Sequence, residues 1–134
     1  MGCDIHAHAE VKIKGKWEHY DQPEFRRDYE LFERMAGVRG DVANAIVAPR
    51  GLPDDATALT RFDSERWGSD GHSHSWLSAQ ELYELAAWDK KRGYSDFKRS
   101  WDQWLFGGNY SDFIKYPKDR RGVEDVRFVF WFDN

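Results

Sequence analysis

Four side chains that can bind protons or a metal ion alternate along the start of the chain: Asp4, His6, His8 and Glu10. Alternate residues of a β-strand point to the same side of a sheet. A strand over residues 3–13 therefore aligns all four groups in one row. The residues between them are small or apolar, as expected for a face packed on a core. The spacing predicts a strand with one apolar face and one chemically active face.

A second pair of histidines repeats this spacing far along the chain, at His72 and His74. Four of the five histidines belong to the two pairs, and we expect the fold to bring the pairs together. Imidazole and carboxylate groups suit Zn, Mn, Fe or Ni, and a usual site needs three or four ligands. One interpretation is therefore a divalent transition-metal site formed by Asp4, His6, His8, His72 and His74.

The same histidines suit proton transfer without a metal, because imidazole titrates near neutral pH. His6, His8, His72 and His74 are candidates for the general acid and general base that cleave a phosphodiester or pyrophosphate. Other polar, cationic and aromatic residues are candidates to bind such a phosphorylated ligand: Arg26, Arg27, Arg50, Ser73, Ser75 and Trp76. The start of a helix after residue 78 would favour an anion at the same place.

Each of these groups also has a structural interpretation. Arg26 and Arg27 stand near Glu24, Asp28 and Glu30, with which they can form surface ion pairs. The second histidine pair can belong to a loop that caps and hydrogen bonds hold in place. Polar side chains along a strand can serve solubility alone. The residues leave these alternatives open.

The elements that must position these side chains begin with a hairpin. The strand over residues 3–13 is followed by Lys14-Gly15, a two-residue turn signal, and by a partner strand over residues 16–20. That turn predicts pairing of Glu10 with His19 and of His8 with Asp21, and a bulged turn would shift the pairing by one residue.

Helices are predicted at four places. Asp28 as N-cap and Gly37 as stop bound a helix over residues 29–36. A second helix is predicted over residues 54–66, with acidic residues at its start. The capping box from Ser78 to Glu81 starts a helix over residues 79–92. A further helix is predicted over residues 96–106, where aromatic residues recur at helical spacing.

The last element is a strand over residues 123–132 that is apolar on both faces. Such a strand belongs in the middle of a sheet, and we expect it to pair with the N-terminal strand. The predicted fold class is α+β: a small antiparallel sheet, built from the N-terminal hairpin and the C-terminal strand, with helices packed on it. Residues 1–134 are predicted to form a single domain.

Composition narrows the classes of partner. The formal net charge is −4 and the pI is near 5.7, so duplex nucleic acid is not an expected partner. No apolar run reaches membrane-spanning length, so no membrane partner is expected. The lone Cys3 excludes an intramolecular disulfide and suits a reducing interior. We expect a cytoplasmic protein, and the sequence does not predict its oligomeric state.

Several stretches resemble a known family. The segments MGCDIH, KWEHY, RDYELF, APRGLPDD, GHSHSWLSAQEL and VRFVFWFDN are similar to those of short, largely uncharacterised proteins of tailed bacteriophages and prophages. The resemblance spans nearly the whole chain. It implies a small protein made in the cytoplasm of a bacterial host, and it implies no particular reaction.

Three functions remain as hypotheses. The first is a phosphodiesterase-like hydrolase that acts on a nucleotide or a nucleotide-derived signal at the His/Asp-rich site, with or without a metal. By analogy with other phage proteins, the second is an anti-defence protein that sequesters such a signal without cleaving it. The third is a structural or host-protein-binding role.

Overall fold

The computed structural model describes residues 2–92 and 122–134. Its strands and helices are, in chain order, β1 (Asp4–Ile13), β2 (Lys16–Asp21), α1 (Tyr29–Ala36), α2 (Ala58–Trp67), β3 (Gly71–Ser78), α3 (Ala79–Arg92) and β4 (Val123–Asp133). Short 3-10 turns lie at Val42–Asn44 and Gly68–Asp70. The helix predicted over 96–106 lies outside the described residues.

The strands form one antiparallel sheet in the order β2-β1-β4-β3. β1 and β4 are the central strands and pair along their whole length, from Asp4 with Asp133 to Ile13 with Val123. This confirms the predicted pairing of the two strands. With α1, α2 and α3 packed on the sheet, the α+β fold class is also confirmed.

The apolar face of the sheet carries the core. Ile5, Ala7 and Ala9 of β1 lie beside alternate phenylalanines of β4, and α1 and α3 cover them. The fully buried side chains of this layer are Phe128, Phe130, Phe132, Leu31, Phe32, Met35, Leu77, Leu82 and Leu85. The alternation predicted for the two strands is thus the alternation found.

The hairpin has the predicted turn, but its strand register shifts at a bulge beyond the turn. Lys14 and Gly15 both have positive φ, 52° and 78°, as a tight two-residue hairpin turn requires. Glu10 pairs with His19 as predicted. The pairing of His8 with Asp21 was wrong, because a bulge shifts the register and sets Ala9 opposite Asp21.

Two helix predictions are confirmed at both ends. α1 begins after Asp28, whose carboxylate accepts a hydrogen bond from the N–H of Leu31, and ends at Gly37 with φ 77°. The capping box of α3 is formed: the N–H of Ser78 donates to Glu81 at 2.9 Å, and the N–H of Glu81 donates to Ser78 Oγ at 3.3 Å.

Two other predictions need correction. α2 begins at Ala58 rather than at residue 54, because Thr57 still has extended backbone angles. The second histidine pair, for which a loop was one interpretation, instead lies in β3 at the edge of the sheet. In the described part of the chain, no helix is long and apolar enough to cross a membrane.

Candidate functional site

The second face of the sheet carries the histidines and is called here the histidine face. It presents His6, His8 and Glu10 of β1 beside Trp131 and Arg127 of β4, which are their direct cross-strand partners or neighbours. The row predicted from sequence therefore lies on one face. Part of this row is closed to solvent, since His8 and Glu10 have no exposed surface.

Helix α2 covers this polar layer with polar side chains. Its buried residues are Thr60, Asp63 and Ser64, whereas Leu59 and Phe62 are 49% and 60% exposed. A helix packed on a core normally turns its apolar side inward. In α2 the polar side faces inward instead. The reason is the sheet surface beneath α2, where buried charges and imidazoles require polar partners.

Asp63, His8 and His19 form a continuous chain of hydrogen bonds. His8 Nε2 lies 2.8 Å from Asp63 Oδ2, and His8 Nδ1 lies 2.8 Å from His19 Nε2. The Gln22 amide also donates to Asp63, at 3.4 Å. Both ring nitrogens of the buried His8 thus have protein partners, and the chain leads from α2 through β1 to β2.

The order of donors follows from the carboxylate at one end. Asp63 accepts a hydrogen bond, so His8 carries a proton on Nε2 and, when neutral, accepts on Nδ1. His19 then donates from Nε2 and keeps a basic lone pair on Nδ1. His19 is half-buried, and burial, followed by the charge of His8, lowers its pKa. The chain therefore ends in a neutral imidazole near neutral pH.

Glu10 docks the start of α2 on the sheet. Its carboxylate accepts from the Thr57 N–H at 2.9 Å, the Thr57 hydroxyl at 2.7 Å and the Thr60 hydroxyl at 2.8 Å. Arg127 donates to it at 2.7 Å. Burial would raise the pKa of Glu10, but these hydrogen bonds outweigh it and leave the pKa below its usual value. Glu10, rather than the predicted acidic residues of α2, thus serves the helix start.

The outer end of the row is less buried. His6 Nε2 lies 3.1 Å from Asp133 Oδ1, and the His6 ring lies 4.1 Å from the ring of Trp67. Asp4 is exposed and pairs with Arg27, whose Nε lies 2.7 Å from Asp4 Oδ1. Two residues named as candidates, Asp4 and Arg27, therefore form a surface ion pair with each other.

A bulge in β3 separates the second histidine pair. Ser73, with φ 57°, and His74 together oppose Trp131, because the register shifts between His72 and Ser75. His72 pairs with Phe132 on the core side, and its Nε2 lies 2.7 Å from Asn134 Oδ1. The two rings therefore do not share a face, which corrects the simple alternation.

His74 lies on the histidine face with the first pair. Its ring centroid is 5.7 Å from that of Trp131, and those of His8 and His6 are 5.4 Å and 6.0 Å from the same indole. The indole stands between β1 and β3 because β4 is the strand between them. The structure thus brings the first pair and one member of the second, His74, to the same indole.

The predicted phosphate-binding residues are mostly engaged within the protein. Arg50 forms two bonds to Glu81, at 2.7 and 2.5 Å, and its guanidinium lies 4.3 Å from the Trp76 ring. Ser75 is buried and accepts from the Arg50 N–H at 3.2 Å. The anion at the start of α3 is Glu81 itself. Ser73 Oγ lies 3.0 Å from His72 Nδ1, and Arg26 is exposed.

The histidine face does not fit a metal ion as it stands. His8 uses both ring nitrogens, and its 2.8 Å approach to His19 is a hydrogen-bond distance. Two nitrogens on one tetrahedral zinc would stand about 3.3 Å apart. Across residues 2–92 and 122–134, no three His, Cys, Asp or Glu side chains are grouped to hold a metal. The geometry favours proton exchange over metal binding.

Comparisons of the chain with protein families, with curated proteins and with solved structures each find no match. The sequence did not predict two residues of the hydrogen-bonded chain, His19 and Asp63. The pairing of Glu10 with His19 was the one signal that pointed to His19.

Proposed function

We propose that this protein is a small hydrolase that acts on a phosphorylated ligand, such as a nucleotide or a nucleotide-derived signal. The observation that carries the proposal is the Asp63–His8–His19 chain, with two contacts of 2.8 Å. A carboxylate that orients an imidazole is a recurring arrangement in acid–base catalysis. The resemblance to phage proteins adds the setting, the cytoplasm of an infected bacterium.

In this mechanism His19 is the terminal base. Its Nδ1 takes a proton from water as the water oxygen attacks phosphorus. The P–O bond to the leaving group breaks, and the His19 imidazolium returns the proton to the leaving oxygen. The hydrogen bond from His19 Nε2–H to His8 strengthens as His19 becomes charged, and Asp63 stabilises that charge through His8. No metal takes part in these steps.

One cation of the hairpin, Lys12, can stabilise negative charge that develops on the phosphoryl group. Lys12 and Trp17 are cross-strand partners on the histidine face, and the Lys12 ammonium lies 5.8 Å from the Trp17 ring centroid. Lys12 is the candidate to hold a phosphoryl oxygen. Arg127 is less available, because Glu10 and Asp55 already bind its guanidinium.

The test compares amide variants of two carboxylates on the same helix. Hydrolysis of bis(p-nitrophenyl) phosphate and of a panel of cyclic and linear nucleotides should fall about 10²–10⁴-fold in Asp63→Asn. Glu65→Gln, an exposed position on α2, should keep the parent rate. Replacing the terminal base in His19→Gln should cause a comparable loss. Circular dichroism verifies that each variant is folded.

Two outcomes would contradict the mechanism. One is parent-level hydrolysis in both Asp63→Asn and His19→Gln. The other is a rate that disappears when the protein is stripped of metal and returns with Zn or Mn, which would restore the metal interpretation. Activity that is unchanged after stripping supports histidine chemistry alone.

A second candidate is sequestration of the same kind of ligand without cleavage. The observation that favours it is the group of rings on the histidine face. The His6 ring centroid lies 4.1 Å from that of Trp67 and 6.0 Å from that of Trp131, and the His74 centroid lies 5.7 Å from that of Trp131. Aromatic rings hold nucleobases by stacking. Ligand recovered intact from heat-denatured complex would favour this candidate, and recovery of products would exclude it.

A further inference from the structure

The indole N–H of Trp131 has no hydrogen-bond partner in the described part of the chain, although the side chain has no exposed surface. Leaving a buried donor unpaired costs about 1–3 kcal/mol. Buried polar groups in proteins are almost always paired, so each exception requires an explanation. The position of Trp131, at the centre of the histidine face, suggests that the partner comes from outside the chain.

His74 is a second group on this face whose side chain has no hydrogen-bond partner among the described residues. Within residues 2–92 and 122–134, neither of its ring nitrogens forms a hydrogen bond, and the side chain is only half-buried. Burial, followed by the charge of His72, lowers the pKa of His74. At neutral pH the ring is therefore uncharged and offers one donor and one acceptor.

Gly71 places no side chain against the N–H edge of Trp131. Its backbone angles, φ −79° and ψ 137°, suit any residue, so conformation does not require glycine here. A Cβ at this position would lie 3.2 Å from Trp131 Cδ1, the atom bonded to Nε1, and 3.5 Å from His74 Cε1. Any side chain at position 71 would therefore lie against the edge that carries the donor.

The charges around these rings favour an uncharged ligand over an anion. Asp133 lies 3.1 Å from His6 Nε2, and across the described residues no ammonium or guanidinium stacks on Trp67 or Trp131. A phosphate placed here would meet the Asp133 carboxylate, and no cation lies over either indole among the described residues. A neutral planar ring would meet aromatic faces, one donor and a neutral imidazole.

The geometry points to a subsite for an uncharged heterocycle, such as a nucleobase, that accepts a hydrogen bond from Trp131 Nε1–H and pairs with the His74 imidazole. The inference deepens the proposed function and rests on it for the phosphorylated part of the ligand. Because Trp131 Nε1 is closed to solvent, the ligand reaches it only when the groups that cover it move aside.

The test measures binding without turnover. The probes are adenosine, guanosine, cytidine and uridine, with inorganic phosphate as the charged comparison. The indole ¹H–¹⁵N signal of Trp131, assigned with Trp131→Phe, should move downfield with at least one nucleoside and stay in place with phosphate. Gly71→Ala should weaken that nucleoside about tenfold or more, the effect of one lost hydrogen bond. Ser69→Ala, an exposed change in the same turn, should not.

A second variant keeps the test valid if Gly71→Ala unfolds. His74→Phe retains a ring but removes both nitrogens, and it should also lose the nucleoside. The subsite is wrong if no nucleoside moves the Trp131 signal at millimolar concentration, or if His74→Phe binds like the parent. Hydrolysis that persists without nucleoside binding would leave the proposed function standing. Nucleoside binding without hydrolysis of any panel member would refute the hydrolase alone.

Discussion

At the scale of single residues, Glu10 and Arg127 form the most demanding contact on the histidine face. Their side chains are 0% and 6% exposed, and they bond to each other at 2.7 Å. Desolvation of two charges is tolerable only when additional hydrogen bonds satisfy the remaining atoms. Glu10 meets this condition through Thr57 and Thr60, and Arg127 meets it through Asp55 and the Trp17 ring.

Glu10→Gln should therefore destabilise the protein strongly. The amide keeps the shape of the side chain but leaves Arg127 with the exposed Asp55 as its one charged partner among the described residues. We expect a loss of about 3 kcal/mol in the free energy of unfolding, measured by urea denaturation. Glu18→Gln, an exposed position on the same hairpin, is the matched control and should change it by less than about 0.5 kcal/mol. Equal effects in the two variants would contradict this role.

At the scale of elements, the strands and helices with strong local signals were predictable. The alternation of β1 and β4 has a period of two, and the capping residues of α1 and α3 give their starts. β3 was not predictable in this way. It is rich in Gly, Ser and His, which have weak strand preference, and only its pairing with β4 makes it a strand.

Two bulges explain why the strand pairing and the facing of the histidines were not fully predicted from the sequence. One extra residue in β2 moves Asp21 away from His8, and one in β3 sets His72 and His74 on different faces. A bulge inverts the inside–outside order of the residues beyond it. Asp63 was not predicted for another reason. α2 turns a polar side inward, so its hydrophobic pattern does not indicate which side is buried.

Because α2 buries polar residues and exposes apolar ones, substitution of a polar residue should destabilise the protein more than substitution of an aromatic one. Thr60→Val removes a hydroxyl that donates to Glu10 at 2.8 Å and leaves a buried carboxylate less satisfied. It should lower the free energy of unfolding by about 1–2 kcal/mol. Phe62→Ser removes an aromatic ring that is 60% exposed and should cost less than about 0.5 kcal/mol. Urea denaturation of both variants decides, and a larger loss in Phe62→Ser would contradict the arrangement.

At the scale of the whole molecule, the central strands β1 and β4 serve two unlike layers. The core side packs against α1 and α3 through apolar groups. The other side packs against α2 through carboxylates, imidazoles and one guanidinium. Because half of the sheet is covered through titratable groups, the stability of the whole fold should depend on their protonation.

The free energy of unfolding should fall in two steps on acidification. His19 and His74 have folded pKa values below the ordinary 6.5, because burial and a neighbouring histidine disfavour their charged forms. The unfolded chain therefore takes up these protons first, and stability is lost as pH falls below about 6.5. Glu10, Asp28 and Glu81 also have lowered pKa values, so a second loss begins near their unfolded values, 4.5 and 3.8.

Urea denaturation between pH 8 and pH 3 measures both steps. The double variant His19→Gln, His74→Gln removes the groups assigned to the upper step, so its free energy of unfolding should stay level from pH 7 to about pH 5 and then fall like that of the parent. The lower step remains in this variant, because Glu10, Asp28 and Glu81 keep their hydrogen bonds. An upper step of unchanged size in the double variant would show that other groups cause it. A parent protein whose stability is constant from pH 7 to pH 5 would contradict the lowered pKa values of both histidines.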